Sequence, residues 1–245
     1  LDTGEVGVLL THVIHQPAGR RDDDVDTGLE GALLWTHLDA AVDRRAGNRG
    51  VIREPVDLIF DLHGEQYVLR IPGKDTEEYI NRAHEEETAR AAARAGVSPD
   101  VVLFDKKTGV MVTRLVDGAV TMSPAGFKSI SGAPARAGVV LRKLHSSGVL
   151  FPFRFELFKM INDYLKILAT KDVDLPTGYH DVVREAEGVR DALNAHPLPL
   201  VACHCDPLCE NFLDQRMNRM WIVDWEYAGM NDPMWDLGDV SVEAG

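Results

Sequence analysis

Apolar and polar positions alternate clearly from about residue 55 onward. VDLIFDL (56–62) and QYVLRIP (66–72) are strand-like runs around a short Gly-containing turn, so they predict a β-hairpin. Asp75, with Glu78 three residues on, resembles a capping box opening an Ala- and Glu-rich helix over 76–96, which ends near Gly96 with Pro99 beyond. VVLFD (101–105) and VMVTRLV (110–116) predict a second hairpin, broken by Asp117-Gly118. The pattern then becomes helical. A helix ends in VVLRKLHSSG (139–148), and 154–171 is amphipathic, with Phe155, Phe158, Ile161, Leu165 and Leu168 on one side. A further helix follows over 180–196. Strands return only at LPLVACH (198–204) and RMWIVDW (219–225).

This order predicts an α+β fold of two lobes: an atypical N-terminal segment over 1–50, a β-rich N-terminal lobe over 51–118 and a mainly helical C-terminal lobe over 119–245. The lobe boundary is expected near 117–122. Residues 1–50 carry weak signals, although 29–45 could form an amphipathic helix with Leu33, Leu34, Leu38 and Val42 on one side.

Composition narrows the function. With 45% hydrophobic and 27% charged residues the 245-residue chain is that of a globular protein with a substantial core. A formal charge of −13 argues against a general nucleic-acid or anionic-membrane binder and is compatible with a cationic small substrate. No apolar run approaches the roughly 20 residues of a membrane span, so the cytoplasm is the expected location. Cys203, Cys205 and Cys209 lie too close together for a disulfide framework. With His204 they raise a zinc-binding module as one reading, but no second ligand pair follows, and buried free thiols are the other.

HCDPLCENFLD (204–214) carries the chemistry. His204, Asp206 and Asn211 form H-x-D-x-x-x-x-N, and a hairpin then leads to Asp224. A loop carboxylate can accept the proton of an acceptor hydroxyl aligned with a γ-phosphate, which suits Asp206. An amide oxygen and a carboxylate brought together across a hairpin, Asn211 and Asp224, can hold Mg²⁺. His204 reads as a prop for the loop.

Together with VDWEYAGMNDPMWDLGD (223–239), this stretch resembles the choline/ethanolamine kinase branch of the aminoglycoside-phosphotransferase-like kinases. YVLRIPG (67–73), the 76–96 helix and GVMVTRLVDG (109–118) extend the resemblance over roughly 56–245. It implies a bilobal protein-kinase-like fold with ATP between the lobes. Asp206 would then be the catalytic base, and Asn211 and Asp224 the magnesium ligands. Arg70 would be the phosphate-contacting strand residue, since a guanidinium can fork onto phosphate oxygens. Its implied helix partner is Glu85, with Glu86 and Glu87 adjoining. Arg114, Leu115 and Val116 would open the hinge against which adenine lies. Asp236, in the WDLGD turn, would brace the catalytic loop through backbone hydrogen bonds, or else act as a helix N-cap. Glu243, with Glu226, would face a cationic substrate nitrogen, the alternative for Glu243 being a surface position. Trp225, Tyr227 and Trp235 could form an aromatic cage or fill core space.

Two departures stand against the resemblance. The Gly-rich loop G-G-x-[ST]-N is absent before the arginine strand, where RRAGNRGVIREP stands, which implies weakened nucleotide binding. The chain stops at VEAG, where relatives continue into further helices, so a truncated chain is expected. The resulting readings are an ATP- and Mg²⁺-dependent choline or ethanolamine kinase, a kinase for an aminoglycoside or other small alcohol, and a catalytically silent nucleotide-binding module or fragment.

Overall fold

The computed structural model describes residues 56–73, 76, 79–171, 174–216 and 219–245. The 1–50 segment, the missing Gly-rich loop and the Asp75–Glu78 capping box fall outside these residues.

Strands β1 (Val56–Leu62) and β2 (Glu65–Ile71) pair antiparallel with Leu62 opposite Glu65. The two-residue turn places His63 at φ 55° and Gly64 at φ 84°, the left-handed pair that matches the twist of a tight hairpin. Helix α1 (Arg82–Arg94) begins later than the capping-box reading implies, because Asn81 caps it by accepting from the Ala83 and His84 amides. Strands β3 (Val101–Phe104) and β4 (Met111–Arg114) form the second hairpin, and the sheet order is β1-β2-β4-β3. Strand β4 stops at Arg114 rather than 116: the Leu115 amide still donates to Gln66 O, but Val116 turns away into a cluster with Leu213 and Trp221.

Strand β2 shows how pleating sorts function from packing. Tyr67 and Leu69 join Leu62 and Val112 in one apolar cluster, while Val68 and Arg70 line the cleft below the sheet.

The chain continues through β5 (Val120–Thr121), α2 (Pro124–Ser129), α3 (Ala133–His145), α4 (Leu157–Thr170) and α5 (Tyr179–Ala195). Strands β6 (Val201–Cys203), β7 (Phe212–Asp214), β8 (Met220–Ile222) and β9 (Gly229–Asn231) precede α6 (Pro233–Ala244). Strand β7 pairs with both β5 and β8, and β6 pairs with β9. The WDLGD stretch expected as a turn is helical: Asp232 accepts from the Met234 amide as N-cap and Pro233 opens α6, so Asp236 lies inside the helix rather than capping it. The strand runs at 198–204 and 219–225 shorten to three residues each. Helix α4 buries no residue fully, so its apolar side is only half covered.

The main core joins Ala89 and Ala92 of α1 to Val140, Leu141 and Leu144 of α3 and to Phe212, Ile222 and Trp225. Cross-links follow the same path: the Ile222 amide donates to Val97 O at 2.8 Å, and Lys143 Nζ and Arg219 both reach Gly96 O. Arg136 of α3 forks onto the fully buried Asp214 carboxylate at 2.8 and 2.6 Å. Arg136→Met leaves that carboxylate without its cation and is expected to lower stability by about 3 kcal/mol, read as a shift in the denaturant midpoint at neutral pH.

Candidate active site

Strand β6 delivers the chain into the loop carrying His204 and Asp206, and Asp236 holds that loop from below. The Asp236 carboxylate is fully buried and accepts from the His204 and Cys205 amides, both at 2.9 Å, and from His145 Nε2 at 2.8 Å. Cys205 sits at φ 69°, and its carbonyl accepts from Trp235 Nε1 at 3.0 Å. His204 is fully buried, with its Nε2 on Val223 O at 2.7 Å, and its ring packs against Trp225. It therefore ties the loop before Asp206 to the residue before Asp224.

The Asn211 amide group donates to Asp206 O at 2.9 Å, and the Val223 amide donates to Asn211 O at 3.0 Å. Asp224 follows at φ 69°, a left-handed conformation that turns it out of β8. These bonds bring Asp206, Asn211 and Asp224 into one region. Asn211, Asp224 and Arg70 line a cleft of about 300 Å³ between the sheet and the loop. Arg70 Nη2 lies 2.9 Å from Asp224 Oδ2 and its Nε lies 3.5 Å from Asp57, its cross-strand neighbour.

Glu85 is the inward member of its acidic run, only 3% exposed, whereas Glu86 turns to Arg90 and Lys106. Its ion-pair partner is Arg82, at 2.7 Å, not Arg70 as the resemblance implies. The spacing explains this: Arg82 stands one turn earlier on the same helix face, while Arg70 is engaged by Asp224. Of the residues expected at the hinge, Arg114 pairs with Glu65 at 2.7 Å and Val116 is buried beside Leu213, while Met111 and Thr113 line the cleft.

The acidic groups divide into two neighbourhoods. Glu226 lies 3.5 Å from Arg82, and burial, then Asp224 and Glu85, push its carboxyl up to about 7. Glu243 is half-buried on α6 and raises the carboxyl pKa of Asp206, which burial has already moved upward. Asp239, a residue the sequence reading passed over, is pushed up to about 6 by burial and by Asp206 and Glu243. Glu226 thus stands beside Arg82 and Asp224, and Glu243 beside Asp206 and Asp239. The aromatics do not form a cage: Trp225 is core with Nε1 on Ser98 Oγ, Trp235 packs on Phe155, and Tyr227 bonds Tyr164.

The zinc reading fails on geometry. Cys203, Cys205 and Cys209 are buried thiols with raised pKa values, and His204 is committed to Val223. Among the described residues the group with metal-ligand proximity is His145, Cys203 and Asp236, and there the carboxylate already accepts three hydrogen bonds. Asn211 and Asp224 instead offer hard oxygens on an open cleft, the donor set that suits a magnesium ion.

The description "phosphotransferase enzyme family" matches residues 56–243. The chain belongs to that family. It is 30% identical over 199 residues to protein LicA of Haemophilus influenzae, covering 77% of this chain and 55% of that protein. Mouse ethanolamine kinase 1 is 22% identical, covering 94% and 70%. The crystal structure of a choline/ethanolamine kinase family protein from Mesorhizobium loti superposes with a TM-score of 0.67 at 65% identity, covering 80% of this chain and 62% of that one. Choline kinase LicA from Streptococcus pneumoniae gives 0.66 at 27%, covering 77% and 65%. The chain thus spans between a half and two thirds of these LicA and Mesorhizobium relatives. Within this family fold the α+β architecture has its sheet-rich part first and its helical part after. Among the described residues no helix is long and apolar enough to cross a membrane.

The raised carboxyls set a pH dependence. Glu226 and Asp239 bind protons in the folded chain at pH values where the unfolded chain has released them. Their contribution to stability is present below their unfolded values near 4.5 and 3.8 and is lost as pH rises through about 7 and about 6. Unfolding midpoints are therefore expected to fall between pH 5 and pH 7.5, and Glu226→Gln to flatten the upper part of that slope.

Proposed function

We propose that the protein transfers the γ-phosphoryl group of ATP to the hydroxyl of a small amino alcohol of the choline or ethanolamine class. The observation that carries this reading is the cleft lined by Arg70, Asn211 and Asp224, with the loop of Asp206 tied to it because the Asp206 carbonyl accepts from the Asn211 side-chain amide. Asp206 accepts the hydroxyl proton as the acceptor oxygen bonds to phosphorus and the bond to the ADP leaving group breaks. Arg70 steadies the phosphates with a fixed fork of donors. Asn211 and Asp224 are the residues that would hold Mg²⁺, which when bound neutralises charge on the triphosphate. Neutral or cationic acceptors are favoured near Asp206, where Asp239 and Glu243 crowd negative charge. The names of the relatives support the acceptor class.

The reading is tested by ADP release with ATP and Mg²⁺ against choline, ethanolamine and an aminoglycoside, run beside Asp206→Asn. Acceptor-dependent turnover with an amino alcohol is expected, falling by about a hundredfold or more in the variant while its circular dichroism stays unchanged. Turnover with the aminoglycoside alone would move the acceptor class. Turnover unaffected in Asp206→Asn would remove its role as base.

The Arg70–Asp224 pair has a separate consequence. Arg70→Gln is expected to bind Mn²⁺ alone more tightly, by about tenfold for the loss of one competing nearby charge, and ADP more weakly. Electron paramagnetic resonance of free Mn²⁺ reads the first and calorimetry the second.

A further inference from the structure

Arg82 is a buried cation that the motif reading did not single out, only 8% exposed and held from several sides. Its Nη1 donates to Glu85 at 2.7 Å and lies 3.5 Å from Glu226, two residues beyond Asp224. Its Nη2 donates to Thr76 Oγ1 in the segment between β2 and α1. The turn between β3 and β4 lies against its stem, because a Cβ on Gly109 would fall 2.6 Å from Arg82 Nε. One guanidinium thus joins the loop after β2, helix α1, the β3–β4 turn and the loop that carries Asp224.

The consequence concerns Arg70. Glu85 is 3% exposed, and a carboxylate so buried needs a cation or a proton. Arg82 supplies the cation, and Arg70 is left to reach Asp224 and the cleft. Were Arg82 absent, Arg70 would be the next cation within electrostatic range of Glu85. Drawing it toward α1 would take it off Asp224 and away from the phosphates.

We infer that Arg82 is a positioning residue for phosphoryl transfer: by neutralising Glu85 and gripping the Glu226 loop, it keeps Arg70 aimed into the nucleotide cleft. The inference rests on the phosphotransferase reading. It differs from the pairing implied by the resemblance, in which the helix glutamate holds the strand arginine directly. Lysine cannot replace Arg82 fully, since a single ammonium cannot reach Glu85, Thr76 and Glu226 with the reach of a planar fork.

The test compares ADP affinity by calorimetry and unfolding midpoints for the unaltered protein, Arg82→Gln, Arg82→Lys and the double variant Arg82→Gln/Glu85→Gln. Measured well below each midpoint, Arg82→Gln is expected to weaken ADP binding about tenfold, the range of coupling between neighbouring groups, with Arg82→Lys between. The double variant, which leaves no buried carboxylate at position 85 to draw Arg70, is expected to recover most of the affinity. A purely structural arginine would lower the midpoint and leave the affinity of folded protein in place. Unchanged ADP affinity in a folded Arg82→Gln, or a double variant no better than the single one, overturns the inference. If Arg82→Gln does not fold, the ranking of Arg82→Lys below the double variant decides it, and an inverse ranking overturns it. Absence of ADP binding by the unaltered protein would instead remove the phosphotransferase reading and this inference with it.

Discussion

A single fully buried carboxylate, Asp236, holds the reactive loop in place. An ionised group in such a position is expensive unless its oxygens are all engaged, and here they accept two consecutive backbone amides and a histidine. Those two amides belong to the residues before Asp206, so the brace fixes backbone, not side chain. It also explains why Cys205 can stay in a left-handed conformation, which a residue with a Cβ adopts at some cost. Helix α3, through His145, and helix α6, through Asp236 itself, are thereby clamped to one loop. His204 carries the constraint onward to Val223, and hence to Asp224.

Above the brace the electrostatics are unbalanced by design of the donor set. Asp57, Glu85, Asp224 and Glu226 gather around Arg70 and Arg82, leaving more carboxylates than guanidiniums. The surplus is visible in Glu226, whose carboxyl is pushed up to about 7 by burial and by its acidic neighbours. A site with this surplus of carboxylates attracts positive charge, and a divalent cation accompanying a nucleotide would bring it to Asn211 and Asp224 under the proposed function. Arg70 is counter-ion to Asp224 in the free protein, and under the proposed function it would donate hydrogen bonds to the phosphates once a nucleotide binds.

Legibility in the sequence followed the range of the interaction that decides each element. The β1–β2 hairpin was readable because alternation and a Gly-containing turn are local signals, and Arg70 could be placed on it. Asp206, Asn211 and Asp224 were readable because the loop and hairpin that unite them span a short stretch. The Arg70–Glu85 pairing was misplaced because it depends on which of two arginines reaches a buried glutamate, and neither spacing nor periodicity encodes that competition. Helix α6 was read as a turn because its Pro-Met-Trp-Asp start follows Asp232, whose cap is evident only once Met234 donates to it. Asp239 closes the WDLGD stretch, yet the motif gives it no role; its carboxyl matters through the fold that brings it near Asp206.

The same contrast between local and distant contacts bears on how the two halves are joined. Helix α1 is not simply part of the sheet-rich half, since Ala89 and Ala92 share a core with α3 and Trp225, and Thr88 Oγ1 contacts Trp225 O. A helix anchored to the far side of the cleft cannot swing freely with the sheet. Glu85 and Arg82 lie at its start, closest to the cleft loops, where the anchoring core gives way to charged contacts with Thr76 and Glu226. The ion pairs there are the part of the interface that can exchange partners without unpacking apolar surface, so the start of α1 is held by charge where the rest of the helix is held by the core.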